Sequence, residues 1–143
     1  MENNKVTWLE RMPKVGDIAE MSRQITADDI HLFSAISGDF NPLHYDAAAA
    51  SRTRFGQIIV QGGVTTAILN AVVAEKIPGP GSVFLSIEWK FVNPTRPGDL
   101  ITGRVEVTAV RSDKPITHLK TSVIRQDGEV CVEGTAVCYT VDL

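Results

Sequence analysis

The chain has 143 residues, 43% of them apolar, enough for one domain whose core needs no disulfide or metal staple. Its 14 basic and 17 acidic residues leave a net charge of −3 and are spread along the sequence. With no basic run, neither nucleic acid nor an anionic membrane is favoured as a partner. The polar start, residues 1–5, has no apolar run behind it, which argues against a secretory signal. The longest mostly apolar stretch, residues 67–74 interrupted by Asn70, is too short to cross a bilayer. A cytoplasmic location is expected. Cys131 and Cys138 lie seven apart in a strand-like segment. That odd spacing predicts opposite faces, no mutual bridge and two reduced thiols.

In chain order, residues 17–25 read as a first strand. Thr26 then caps a helix, with Asp28 and Asp29 in its first turn where the dipole favours negative charge. Ile30, Leu32, Phe33 and Ile36 follow at helical spacing, and Ser37-Gly38 ends the helix. Residues 39–45 are predicted as a loop, because Asn41-Pro42 is turn chemistry. Asp46 caps a short helix over residues 47–50. Gly62-Gly63 opens a third helix, residues 64–77, apolar on almost every side and therefore predicted to be surrounded by protein. Residues 78–81, Pro-Gly-Pro-Gly, stop it.

Four strands complete the chain. Residues 82–92 alternate, with Val83, Leu85, Ile87, Trp89 and Phe91 predicted on one face as core or subunit contact. Residues 100–110 follow a Pro97-Gly98-Asp99 turn. Residues 116–125 and 129–141 flank Asp127-Gly128, a strong hairpin signal. One buried helix followed by long antiparallel strands predicts an α+β class, a curved sheet wrapped around that helix. A single domain is expected over residues 1–143, the first 15 forming an extension.

Chemistry concentrates in one stretch. Asp39 and His44 lie five apart across a turn that Pro42 stiffens and Gly38 permits. A carboxylate and an imidazole sharing a water can move a proton onto and off a substrate. The plainer reading is that Asp39 caps the turn and His44 packs in the loop. His31 and His118 read as surface residues. Lys90, Arg96, Arg104 and Arg111 are scattered and read as solvated.

Gly38-Asp39-Phe40-Asn41-Pro42-Leu43-His44, preceded by a helix carrying Phe33, resembles the hydratase 2 motif of MaoC-like dehydratases. Ser51-Arg52-Thr53-Arg54-Phe55-Gly56-Gln57-Ile58-Ile59-Val60-Gln61-Gly62 is similar to the family's second block, and the turn from Val110 to Pro115 also fits. The resemblance spans about residues 18–139 and implies a hot-dog fold. It implies Asp39 and His44 as the catalytic pair, Asn41 in support, and Gly62 as the backbone donor to a thioester oxygen. That last role suits a helix start, where free N–H groups and the dipole favour developing negative charge.

The implied activity is (R)-specific hydration of a trans-2-enoyl-CoA to a (R)-3-hydroxyacyl-CoA. No metal or redox cofactor is called for, because the thioester is the electron sink. Two positions depart from the family's pattern. Gln61 stands where His is common, and Gly63 where Met or another bulky residue is frequent. A hot-dog thioesterase is the first alternative, but such enzymes commonly carry a carboxylate on or beside the central helix. Here residues 63–74 hold none and Glu75 comes near the far end. A non-catalytic acyl-CoA-binding module is the second. The resemblance also implies a homodimer or higher homo-oligomer, paired through the strand after Ser82. Finally, Gly62, Thr66 and Asn70 share a helix stripe. An Asn in an apolar helix needs partners, so Asn70 is expected to donate towards Asp39, directly or through water.

Overall fold

The β-branched and alternating segments form five strands, which a computed structural model describes within residues 5–143; residues 1–4 of the polar start lie outside the described part. They are β1 (Ile18–Gln24), β2 (Ser82–Phe91), β3 (Leu100–Val110), β4 (Ile116–Arg125) and β5 (Val130–Thr140). Their order in the sheet is β1-β3-β4-β5-β2, antiparallel throughout. The helices are α1 (Trp8–Arg11), α2 (Ala27–Ser37), α3 (Ala47–Ser51) and α4 (Gly62–Glu75), with a 3₁₀ turn at Pro42–His44. No helix among the described residues is long and apolar enough to cross a membrane. The short helix α1 lies in a stretch for which the sequence predicts no element. Trp8 anchors it, buried and donating its indole N–H to Arg111 O at 2.8 Å.

The sheet curls around α4. Val64, Ile68, Leu69, Val72 and Val73 pack against Ile101, Val105, Leu119, Val123, Val132 and Ala136. Each buried valine, leucine or isoleucine among them contributes roughly 1.5–3 kcal/mol. Gly103 allows the close approach: a Cβ there would come within 2.8 Å of Ile68 Cγ2.

Two expectations are corrected here. Helix α4 is not enclosed on almost every side: Ala67, Asn70 and Ala74 are exposed and Gly63 and Ala71 half-buried. One sheet covers one face, and the remaining stripe carries residues too small to reach across to anything else in the chain. Alternation in β2 is also broken, by a bulge between Phe84 and Ser86. The extra residue shifts the phase, so Phe84 rather than Val83 lies on the side of Trp89. These two rings meet edge to face at 5.7 Å. Because β2 is an edge strand, Val83, Leu85, Ile87 and Phe91 stay 50–60% exposed.

A second bulge, in β5 between its partners Val123 and Ile124, overturns the opposite-face expectation for the cysteines. It sets Cys131 beside Val132 in the core that also holds Cys138, and both thiols are buried and unpaired. Burial pushes Cys138 up to about 11 and raises Cys131 as well. The native protein is therefore expected to leave Ellman's reagent almost uncoloured at pH 8. Both thiols should appear only after denaturation. Prompt reaction of the native protein at two equivalents would contradict their burial.

Candidate active site

Local capping chemistry builds the site. Asp29 accepts from the Thr26 N–H at 2.8 Å and pairs with Arg23, starting α2. Burial alone would raise the Asp29 carboxyl; the Thr26 and Arg23 hydrogen bonds and the Arg23 charge outweigh it and hold the carboxyl below its ordinary range. At the other end Gly38 takes φ 76°, a left-handed conformation that closes α2 through its N–H to Ser34 O at 2.9 Å. The chain then turns twice on side-chain acceptors. Asp39 Oδ1 takes the Asn41 N–H at 3.1 Å, and Asn41 Oδ1 takes the Leu43 N–H at 3.1 Å. Asn41 thus caps the 3₁₀ turn, with Pro42 at its first position. Beyond it Asp46 caps α3 through the Ala49 N–H.

These turns bring His44 back beside Asp39. His44 is 8% exposed and the Asp39 side chain 40%, so one is walled in and the other faces the opening. His44 Nδ1 lies 2.6 Å from Ile59 O. A carbonyl only accepts, so Nδ1 donates to it, and with a single proton on the ring Nε2 is an acceptor. Nε2 sits 3.7 Å from Asp39 Oδ2. Two acceptors at that separation make no direct bond. A water donating one hydrogen to each would bridge them and keep a lone pair free to attack.

Gly62 is the first residue of α4, after Gln61 at φ −60° and ψ 145°. Its N–H has no acceptor among the described residues, as expected for a helix start. The Phe91 ring lies against it: a Cβ at Gly62 would come 2.7 Å from Phe91 Cε1. Gly63 has the Phe33 ring where a larger side chain would go, 2.0 Å from an added Cβ to Phe33 Cζ. The small residue at this departure and the aromatic ring on α2 therefore fill one space between them. A cavity of about 340 Å³ runs from Gly62 between Phe55 and Asn93, with Arg54 and Thr65 in its lining.

The structure brings Asp39, Asn41, His44 and the start of α4 together, since Gln61, one residue before Gly62, reaches Asp39 O at 3.4 Å. Asn70 is placed differently. It is exposed, two turns further along α4, and no hydrogen bond joins it to Asp39. Among the scattered cations, Arg96 donates to Phe55 O, Arg104 pairs with Glu20 and Arg111 with Asp113. Sequence reasoning missed Ser34 and Tyr45, which hydrogen-bond beneath Asp39. Neither belongs to the Asp39–His44 turn motif, and a helix Ser or a loop Tyr carries no signal alone.

Residues 13–128 match the family model described as MaoC like domain. The chain is 40% identical over 124 residues to an (R)-specific enoyl-CoA hydratase of Aeromonas caviae, covering 87% of this chain and 92% of the relative. It is 33% identical over 133 residues to a 3-hydroxybutyryl-CoA dehydratase of Methylorubrum extorquens, covering 93% and 83%. Among solved structures, an (R)-hydratase from A. caviae involved in PHA biosynthesis superposes with a TM-score of 0.85 at 39% identity, over 90% of this chain and 98% of that one. The five-stranded curved sheet around α4 is accordingly the hot-dog fold, and the chain belongs to the family of MaoC-like domains.

Proposed function

We propose that this chain is an (R)-specific enoyl-CoA hydratase, a hydro-lyase that adds water reversibly to a trans-2-enoyl-CoA. The observation carrying this is His44 Nε2 facing the Asp39 carboxyl group at 3.7 Å, with the Gly62 N–H, one residue from Gln61, free of an acceptor among the described residues. Water held between Asp39 and His44 attacks C3 and gives its proton to one of the two. The group so protonated then delivers that proton to C2, so that OH and H of one water are added across the double bond to give the (R)-3-hydroxyacyl-CoA. As the double bond shifts, charge accumulates on the thioester oxygen, where Gly62 N–H meets it. The cavity beside Gly62 suits the arm that carries the thioester, since Arg54, Thr65, Asn93 and Thr95 offer polar contacts among apolar neighbours such as Phe55 and Phe91.

Crotonyl-CoA is the test substrate. Loss of the enoyl absorbance without release of free thiol is the expected result. Thiol release would instead mean hydrolysis, and no change would leave only binding. Hydrolysis is disfavoured by α4 itself, whose sole carboxylate, Glu75, lies at the opposite end from Gly62, roughly 20 Å away at the helical rise.

The working unit is proposed to be a homodimer in the cytoplasm, a location that the two unpaired thiols support. Val83, Leu85, Ile87 and Phe91 leave an apolar edge strand uncovered, and a second copy pairing there would extend the sheet. Asn70, proposed to assist Asp39, lies on the open stripe of α4 and would do so through water or in the assembled pair. Light scattering at micromolar concentration is expected to give twice the chain mass of 15.6 kDa or a multiple of it. A fully active monomer would remove the dimer from the account.

A further inference from the structure

Gln61 is 1% exposed, and its side chain runs back from the start of α4 into α2. Its Nε2 lies 3.1 Å from Ile30 O, 3.0 Å from Ser34 Oγ and 3.4 Å from Asp39 O. Two of these three are carbonyls, which only accept, so the amide is oriented with its NH₂ towards them. The Ser34 hydroxyl has one proton, and it goes to Asp39 O at 2.7 Å. Ser34 Oγ must then accept from both Gln61 and the Tyr45 hydroxyl, its third partner. The two Gln61 N–H protons are shared among three acceptors, Asp39 O at 3.4 Å being the longest, and the Ser34 proton reaches the same Asp39 carbonyl at 2.7 Å.

Stability does not explain this residue. Gln61 Oε1 is buried without a partner among the described residues, and an unmatched buried acceptor is a cost. Ile30 O lies within α2 and does not depend on Gln61 for a donor. What Gln61 does connect is Asp39 and Gly62. Its side chain holds the peptide of one while its own peptide leads into the other.

We propose that Gln61 is a positioning residue: by holding the Asp39 carbonyl with Ser34, it sets the distance between the Asp39 carboxylate and the Gly62 N–H. The inference rests on the hydratase reading above. Proton transfer at C2 and C3 and charge capture at the thioester oxygen occur on one rigid conjugated unit. The two protein groups must therefore be spaced to match it, and a displacement of 1 Å can cost on the order of 10²-fold.

Gln61→Met keeps the length and removes both donors. We expect kcat to fall roughly 10-fold or more, towards that limit, while KM stays within about twofold, because Gln61 is buried away from the carrier. Ser34→Ala, a small change that preserves packing, should fall similarly. The double variant should be no worse than the poorer single, since both act through one carbonyl. In an Asp39→Asn background, Gln61→Met should cost almost nothing further, whereas a general packing defect would lower both backgrounds alike. Wild-type kcat in Gln61→Met, or in Ser34→Ala should the first variant fail to fold, overturns the proposal. So does an undiminished loss in the Asp39→Asn background. If the parent protein does not hydrate crotonyl-CoA, the hydratase reading and this inference fall together. If it does and the variants match it, only this inference falls.

Discussion

Asp39→Asn is expected to lose hydration of crotonyl-CoA by about 10²–10⁴-fold, a barrier increase of roughly 2.7–5.4 kcal/mol at 1.36 kcal/mol per decade. The substitution is nearly isosteric and leaves the turn its acceptor, because the amide oxygen can still take the Asn41 N–H that Asp39 Oδ1 takes at 3.1 Å. Two things change at the other atom. The group facing His44 Nε2 is now an N–H donor instead of an acceptor, so it can bond the ring directly across the present 3.7 Å gap after a small rotation. The water site between them closes, and a proton-transfer group is gone. Both effects act on kcat and on kcat/KM, with little reason for KM to rise. The check is steady-state kinetics on a variant with unchanged circular dichroism and unchanged mass in solution. Turnover within a few-fold of the parent would take Asp39 out of the mechanism and leave it as a turn cap.

What could be read in advance follows the range of the interactions. Thr26, Gly38, Asn41 and Asp46 act on groups within four residues, and their caps and turns appear where the sequence places them. Strand ends were equally legible, since Asp127-Gly128 and Pro97-Gly98-Asp99 are local stop signals between periodic runs. The bulges at Leu85 and Cys131 were not. A bulge is a property of two strands in register, and neither strand alone records the extra residue. Helix α4 misled for another reason. Ala67, Ala71 and Ala74 count as apolar in a pattern but are too small to require burial, so a half-covered helix reads like an enclosed one. Asn70 lies on that open stripe, so within the single chain its amide meets solvent, and a link to Asp39 runs through water or forms in the assembled pair. Gln61 stood out only as a departure from a family pattern. Its contacts to residues 22 to 31 positions away belong to the tertiary structure and leave no trace in spacing.

Gly62→Pro is expected to lower kcat by about 10²–10³-fold, near 2.7–4 kcal/mol, the range found when one oxyanion donor is deleted. A backbone donor cannot be removed by changing a side chain, but proline removes it. The first helical position is where proline is best tolerated, because its missing N–H would have had no helical partner. Gly62 occupies that position, and Gln61 before it already has the extended ψ of 145° that a following proline demands. The remaining obstacle is Phe91, whose ring would sit 2.7 Å from the new Cβ. That ring is 60% exposed within the single chain, so nothing among the described residues stops it turning away from the new Cβ. Gly62→Ala separates the two effects, since it introduces the same Cβ while keeping the N–H. If Gly62 N–H captures the developing charge, the proline variant should fall well below the alanine variant in kcat. Its thermal stability should stay close to the alanine variant's. Equal kinetics in the two variants would show that crowding by Phe91 accounts for the loss, and the donor would have to be sought at the neighbouring Gly63 N–H, the next free amide of the same helix start.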